Sequence, residues 1–484
     1  MFDTRLASDG AVVDSIVDFA RAENQDAARR LVWIAELVAR RCADDDHALW
    51  ACDAWDATVA EVSAALGLTS GRASGEMMMA TSLRHRLPRV AELFLAGSLS
   101  YRVCAAITDR TDLIRDRGAL LLVDKAIAED AQTWGALSTL KLQRAIDFWV
   151  NRYDPGAVRR VRSRSRDRDV IITVDASAGT ADIVGRLTAI DGEIVTRRLT
   201  RIAYSVCDDD PRTIAQRRSD ALGALAAGDD RLTCLCGNPD CPATTGPDGR
   251  AAAVVVHVVA EADTLQAQPD PGMHGEKPDA QPDPPTLNSA NAVITGHRGI
   301  VPAPLLAELI NAGATVRPLH RPTDEPEPHY RPSTALDEWV RMRDMTCRFP
   351  NCDIPAEYCD IDHTIAWPYG PTHPSNLACL CRKHHLLKTF WAGWSDRQHP
   401  DGTITWTTPT GRTYTTRPGS HLLMPTWNTT TATLPPPQSQ PPKTLGIMMP
   451  TRGKTRATQR AHHITAERKL NDAHLTERNR PPPF

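Results

Sequence analysis

Two sets of residues between positions 347 and 388 have the types and spacing to do chemistry. The first is Cys347-Arg-Phe-Pro-Asn-Cys352, followed roughly thirty residues later by Cys381-x-x-His384. Three thiols and an imidazole in two tight knuckles suit a closed tetrahedral zinc site. Cys359 and Cys379 lie nearby but belong to no knuckle, and read as packing residues. The second set, Asp362, His363, Asn376 and His385, is threaded around the first. Its members are hard or borderline ligands and a titratable base. Phosphodiester hydrolysis needs a water made nucleophilic near neutral pH and positive charge on the phosphate and the departing oxygen. His363 can take the proton, because an ordinary imidazole with a pKa of about 6.5 is largely neutral in that range. Asp362 and His385 can hold one divalent cation such as Mg²⁺.

His384 and His385 are adjacent. On a helix they point about 100° apart and cannot serve one site, so His384 is assigned to the zinc and His385 to the catalytic metal. Asn376 sits in the connection before that helix, where its amide can bond backbone groups and hold the His363 loop.

Asp362-His363, Asn376 and His385, followed by Lys388, resemble the HNH endonuclease signature. The resemblance implies two strands and a helix around one metal (a ββα-metal fold), with His363 as general base, Asp362 and His385 as ligands, and Asn376 orienting the loop. The chain departs from the commonest zinc-bearing pattern at His384, where a fourth cysteine is usual. Further upstream, Leu87-Pro-Arg-Val-Ala-Glu-Leu and Gly97-Ser-Leu-Ser, joined through a linker to the Cys347 knuckle, are similar to actinobacterial proteins of the mycobacterial repeat-family type. These pair a domain of unknown function 222 with a C-terminal HNH module.

The elements that must position these residues are read from periodicity. From about 12 to 153 apolar residues recur at three- and four-residue steps, as in Leu31-Val-Trp-Ile-Ala-Glu-Leu-Val, and predict a helical bundle. The expected fold is mainly α with some α+β over 12–320, the small zinc-stabilised ββα-metal module that the HNH resemblance implies over 330–420, and a disordered Pro/Thr-rich basic tail over 421–484. Within the bundle, residues 59–73 read as helix-turn-helix with Gly67 at the turn and Thr69 or Ser70 capping the second helix. That is a major-groove reader or a plain hairpin. Arg159–Arg168 is the densest basic run, either a phosphate-tracking segment or a solvated connector. Residues 266–285, dense in Pro, Asp and Gln, read as a flexible insertion.

A second metal cluster is expected from Cys234-x-Cys236-x4-Cys241, with His257 on the following strand as fourth ligand. Trp391, Trp394 and Trp406 suit either core packing or base stacking, and Asp401–Tyr414 reads as a hairpin.

Composition sets outer limits. A net charge of −3 and 12 cysteines in 484 residues indicate neither an overall basic surface nor, with the cysteines clustered, a disulfide framework. No signal peptide or membrane span is evident, so a cytoplasmic protein is expected. The sequence therefore predicts a metal-dependent endonuclease acting on DNA, with structural Zn²⁺ and catalytic Mg²⁺ or a similar ion. The alternatives are an idle zinc-containing nucleic-acid-binding module or a mobile-element remnant with an assembly role.

Overall fold

The computed structural model describes residues 7–43, 45–134, 137–158, 169–175, 180–187, 189–243, 257–268, 292–294, 299–311, 314–435 and 448–478. About half of the described residues are helical, and among them are four small sheets. Seven helices form the N-terminal bundle: α1 (Asp9–Cys42), α2 (Ala54–Leu66), α3 (Ser70–His85), α4 (Pro88–Leu95), α5 (Tyr101–Arg110), α6 (Arg117–Asp130) and α7 (Thr139–Tyr153). Their starts are fixed locally. The side chains of Asp53, Thr69, Ser100 and Asp116 each accept a backbone N–H of the first turn they precede. Gly67 ends α2 at φ +66°, a conformation that glycine adopts without steric cost. The helices close over one apolar core running from Leu31 and Met77 through Phe94 and Ile107 to Ile146 and Val150.

Next come a hairpin, β1 (Val170–Asp175) with β2 (Thr180–Gly185), and a helical pair, α8 (Ala189–Ala203) and α9 (Ile214–Ala227). A short sheet, β3 (Val258–Ala260), β4 (Ala292–Ile294) and β5 (Gly299–Val301), precedes α10 (Ala303–Asn311). The expected insertion lies outside the described residues from 269 onward, as does the basic run 159–168.

The C-terminal part comprises α11 (Thr334–Asp344), the antiparallel pair β6 (Cys359–His363) and β7 (Leu377–Cys381), and α12 (Arg382–Phe390). A three-stranded sheet of β8 (Ser395–Gln398), β9 (Ile404–Thr407) and β10 (Thr413–Thr416) follows, with the short α13 (Gly419–Leu423). The expected Asp401–Tyr414 hairpin is the β9–β10 pair. Trp394 and Trp406 are buried in the core, and Trp391 donates its indole N–H to Cys52 O at 2.9 Å, so packing accounts for all three.

The tail is a correction. Residues 448–478 are ordered, and α14 (Arg456–Arg478) packs on the bundle. Arg468 pairs with Asp154 at 2.7 Å, Arg460 with Asp112, and Asn471 donates to Gly156 O and Val158 O. Arg452 and Arg456 reach the buried Asp53 and Asp56. Composition read these arginines as solvated charge. Arg456, Arg460 and Arg468, spaced by multiples of four, instead lie on one helical face opposite carboxylates of the bundle, and Arg452 reaches Asp53 and Asp56 from just before the helix. The Pro-rich stretch 436–447 lies outside the described residues.

The C-terminal core is shared. Cys52, Ala57 and Ala60 of the bundle sit in the same buried cluster as Trp339, Phe349, Leu380, Trp406 and Met449. Asn351 donates to Ser63 O at 3.1 Å and Lys383 pairs with Asp56 at 2.9 Å. The first helix of the helix-turn-helix, α2, therefore serves as a packing surface for the C-terminal part.

Candidate metal centre and active site

β6 and β7 pair with Cys359 opposite Cys381 and His363 opposite Leu377. Side chains alternate along a strand, so Asp360 and Asp362 share one face of β6 while His363 belongs to the other. β7 runs directly into α12, for which Cys381 is the N-cap residue. This brings Cys381 and His384 beside the first knuckle and lays His385 and Lys388, three residues apart on one helical face, against the two aspartates.

The knuckle side is buried. Cys347, Cys352, Cys381 and His384 bring their ligand atoms within 4.8 Å of one another, and all four are buried. Zn–S near 2.3 Å and Zn–N near 2.0–2.1 Å at tetrahedral angles place sulfurs roughly 3.8 Å apart and sulfur and nitrogen roughly 3.5 Å apart. Observed separations are 4.0 Å for Cys352–Cys381, 3.5 Å for Cys347–His384 Nδ1 and 3.3 Å for Cys381–His384 Nδ1. The ring turns Nδ1 to the sulfurs and leaves Nε2 buried with no hydrogen-bond partner among the described residues. Phe349 stacks on the imidazole at 3.9 Å. Hydrogen bonds from the Cys347 and Cys352 thiols hold Cys381 far below an ordinary thiol, while burial pushes Cys347 up. The four could hold a metal ion such as zinc. Cys359 and Cys379 stand outside this group.

The carboxylate side is more open and more polar. His385 Nδ1 lies 2.8 Å from Asp360 Oδ2, and its Nε2 lies 3.3 Å from Asp362 Oδ1. With Nδ1–H donated to Asp360, the Nε2 lone pair faces Asp362, the arrangement in which a carboxylate orients a metal-binding imidazole. Ligands about 2.1 Å from an octahedral ion lie roughly 3.0 Å apart, close to the observed separation. Lys388 pairs with Asp362 at 2.7 Å and Asp396 at 3.0 Å and donates to His363 O. Burial opposes the ammonium, but the two carboxylates outweigh it and hold its pKa above the ordinary value. Asp396 is pushed up to about 6, chiefly by burial, with Lys388 opposing.

His363 is buried and places Nε2 2.9 Å from Thr372 Oγ1. The Thr372 hydroxyl has one hydrogen, and its oxygen also lies within bonding distance of His329 O. That hydrogen goes to the carbonyl, so His363 Nε2 donates to Thr372 and Nδ1 keeps the lone pair. Tyr330 stacks on the ring at 5.4 Å. Burial lowers the imidazole pKa, with Asp362 opposing and Lys388 reinforcing the shift, so the neutral form prevails near pH 7.

Asn376 bonds the backbone of the loop that follows His363. Its Oδ1 accepts from Ile365 N at 2.8 Å, and its Nδ2 donates to Ile365 O and Pro371 O. Gly370 makes this possible, because a Cβ there would lie 2.6 Å from Asn376 Nδ2.

A second thiol group contains Cys234, Cys236 and Cys241, but its fourth member is Cys207 where His257 was expected. Cys207 precedes Cys234 by 27 residues and has no cysteine near it in sequence, so spacing gave no sign of it. Sequence reasoning also missed Asp360, Thr372 and Asp396. The Asp-Ile-Asp alternation on a strand was a usable signal for Asp360. The other two are brought in only by folding.

Comparison with known proteins places the long N-terminal region. The profile of the family described as "Domain of unknown function (DUF222)" matches residues 18–344. An uncharacterized protein of Mycobacterium tuberculosis is 56% identical over 99% of this chain and 90% of its own length. A second from the same organism is 56% identical over 99% of this chain and 93% of its own. A third, described as lying in the est 3′ region, is 52% identical over 70% of this chain and 97% of its own. No solved structure matches. Among the described residues no helix is long and apolar enough to cross a membrane.

Proposed function

Because the chain belongs to the DUF222 family, which carries no assigned activity, function must be argued from the site, and we propose that the C-terminal part is a metal-dependent endonuclease of the HNH type acting on DNA. The observation that carries this reading is one β6–β7–α12 frame bearing a neutral, Thr372-anchored His363 and an Asp362/His385 pair 3.3 Å apart, built around a buried three-sulfur, one-nitrogen group.

His363 Nδ1 takes a proton from water as the water oxygen attacks phosphorus and the bond to the departing sugar oxygen breaks. Asp362 and His385 Nε2 would hold a hard divalent cation such as Mg²⁺. Bound there, it would supply positive charge to the phosphate and to the departing oxygen, which takes its proton from solvent. Asp360 fixes the tautomer of His385, Lys388 holds Asp362 in place, and Asn376 pins the loop that follows His363. Cys347, Cys352, Cys381 and His384 would hold zinc as scaffold only. Exposed Arg382 and Arg397 flank the frame and suit phosphate contacts.

Plasmid nicking in Mg²⁺, Mn²⁺ or EDTA tests the reading. The wild type should nick with either ion and not with EDTA, and His363→Ala should be slower by about a hundredfold or more. Equal nicking by both proteins would remove the assignment. DNA binding without cleavage would favour an idle nucleic-acid-binding module.

A further inference from the structure

Outside the proposed active site, α8, α9 and the segments following them form a small lobe with little apolar content. Its buried core is Ile202, Ala221, Ala224 and Leu232. So small a core commonly needs a staple. The chain leaves α9 at Gly228 and runs back to meet the α8–α9 connection, where three bonds fix it. Leu232 N donates to Ser205 Oγ at 2.8 Å, Leu235 N to Asp210 Oδ2 at 3.0 Å, and Arg212 to Thr233 O at 2.7 Å. Asp210 and Arg212, both buried, pair at 2.7 Å and hold this junction from beneath.

The four thiols converge above that junction. Cys207 comes from the connection, and Cys234, Cys236 and Cys241 come from the returning segment, with all four sulfurs within 4.8 Å of one another. Cys207 and Cys234 are 3.4 Å apart. The returning segment is shaped as a knuckle: Gly237 has φ +73°, Cys241 N donates to Asn238 O, and Cys234 N donates to Ala243 O.

We infer that Cys207, Cys234, Cys236 and Cys241 form a second, all-thiolate zinc site that fastens the α8–α9 connection to the segment after α9. Four sulfurs in tetrahedral reach select zinc or iron, and the absence of any hard donor from the group disfavours Mg²⁺ or Ca²⁺. This site is independent of the nuclease reading. Unlike the C-terminal group it is only half buried, so it should exchange its metal more readily.

The test is metal content of the full-length chain after zinc loading and removal of free zinc by gel filtration. Wild type should retain two zinc ions per chain, Cys207→Ala one, and His257→Ala two. Equal zinc in wild type and Cys207→Ala, or iron in place of zinc at this site, would overturn it, whatever the C-terminal group holds. Should Cys207→Ala fail to fold, Co²⁺ loading of the wild type decides. Thiolate-to-cobalt charge-transfer absorption should rise in two steps, the weaker-binding step carrying the four-sulfur intensity. A single step at three-sulfur intensity would contradict the inference.

Discussion

On α12, His384 is 2% exposed and turns Nδ1 toward three sulfurs, whereas His385, the next residue, has a side chain 24% exposed and turns Nε2 toward Asp362. The two imidazoles leave one helical turn in directions about 100° apart, and each is oriented by the face it meets. On the sulfur side, thiols and a stacked Phe349 exclude water and hard ligands. On the other side Asp360, Asp362 and Lys388 keep the surroundings charged and open. The different character of the two sides follows from the neighbours rather than from the histidines, which are the same residue type one position apart.

If the sulfur side is scaffold, the largest effect should come from removing it. Structural zinc in small domains is worth on the order of 10–16 kcal/mol of apparent binding energy. Cys347→Ser should lose that zinc together with the near-UV signal of the buried Trp394 and Trp406, while the bundle helices stay folded. A variant that keeps its tryptophan signal without metal would show that the shared core, not the ion, holds this part.

On the carboxylate side the expected losses are smaller. Asp360→Asn should weaken Mn²⁺ binding by roughly 10–100-fold, as for other partners of metal-bound histidines, and leave zinc content unchanged. Calorimetric titration of Mn²⁺ checks this, and unchanged affinity would remove Asp360 from the site. The pH profile sharpens the same side. His363 must be neutral to accept a proton, and burial lowers its pKa, so nicking should hold its full rate through neutral pH and fall only below the ordinary imidazole value of about 6.5. A fall beginning above pH 7 would assign the base to another group.

The smallest effect concerns the tail. Arg452 bonds Trp50 O and Ala51 O and pairs with buried Asp53 and Asp56, which Arg456 also reaches. With that redundancy, Arg452→Ala should cost about 1–3 kcal/mol by urea unfolding, with both zinc ions retained.

Much of the proposed site could be read in the sequence, because its residues are chemically distinctive and lie within forty positions of one another. The two knuckles, Asp362-His363 and the differing directions of His384 and His385 needed only spacing and helix geometry. The bundle was legible for the same reason, its apolar period being continuous. What could not be read depended on contacts between distant segments. Cys207 reaches Cys234 only because the chain doubles back after α9, and Thr372 reaches His363 across a loop whose path periodicity does not specify. The basic tail was misread because composition counts charges, whereas Asp53 and Asp56 together hold Arg452 and Arg456, Asp112 holds Arg460 and Asp154 holds Arg468. The proposed two-unit division also met a core in which α2 contributes to the C-terminal part.

The most direct test of the account sets His384→Ala beside His385→Ala and measures C-terminal zinc content and plasmid nicking on the same preparations. His385→Ala should keep its zinc and its melting temperature and lose nicking, since it removes a ligand from the hard-cation pair and none from the sulfurs. His384→Ala should lose zinc and melt at lower temperature. Zinc lost from His385→Ala and kept by His384→Ala would mean that the two faces of α12 are exchanged, and undiminished nicking in both would contradict the active site itself.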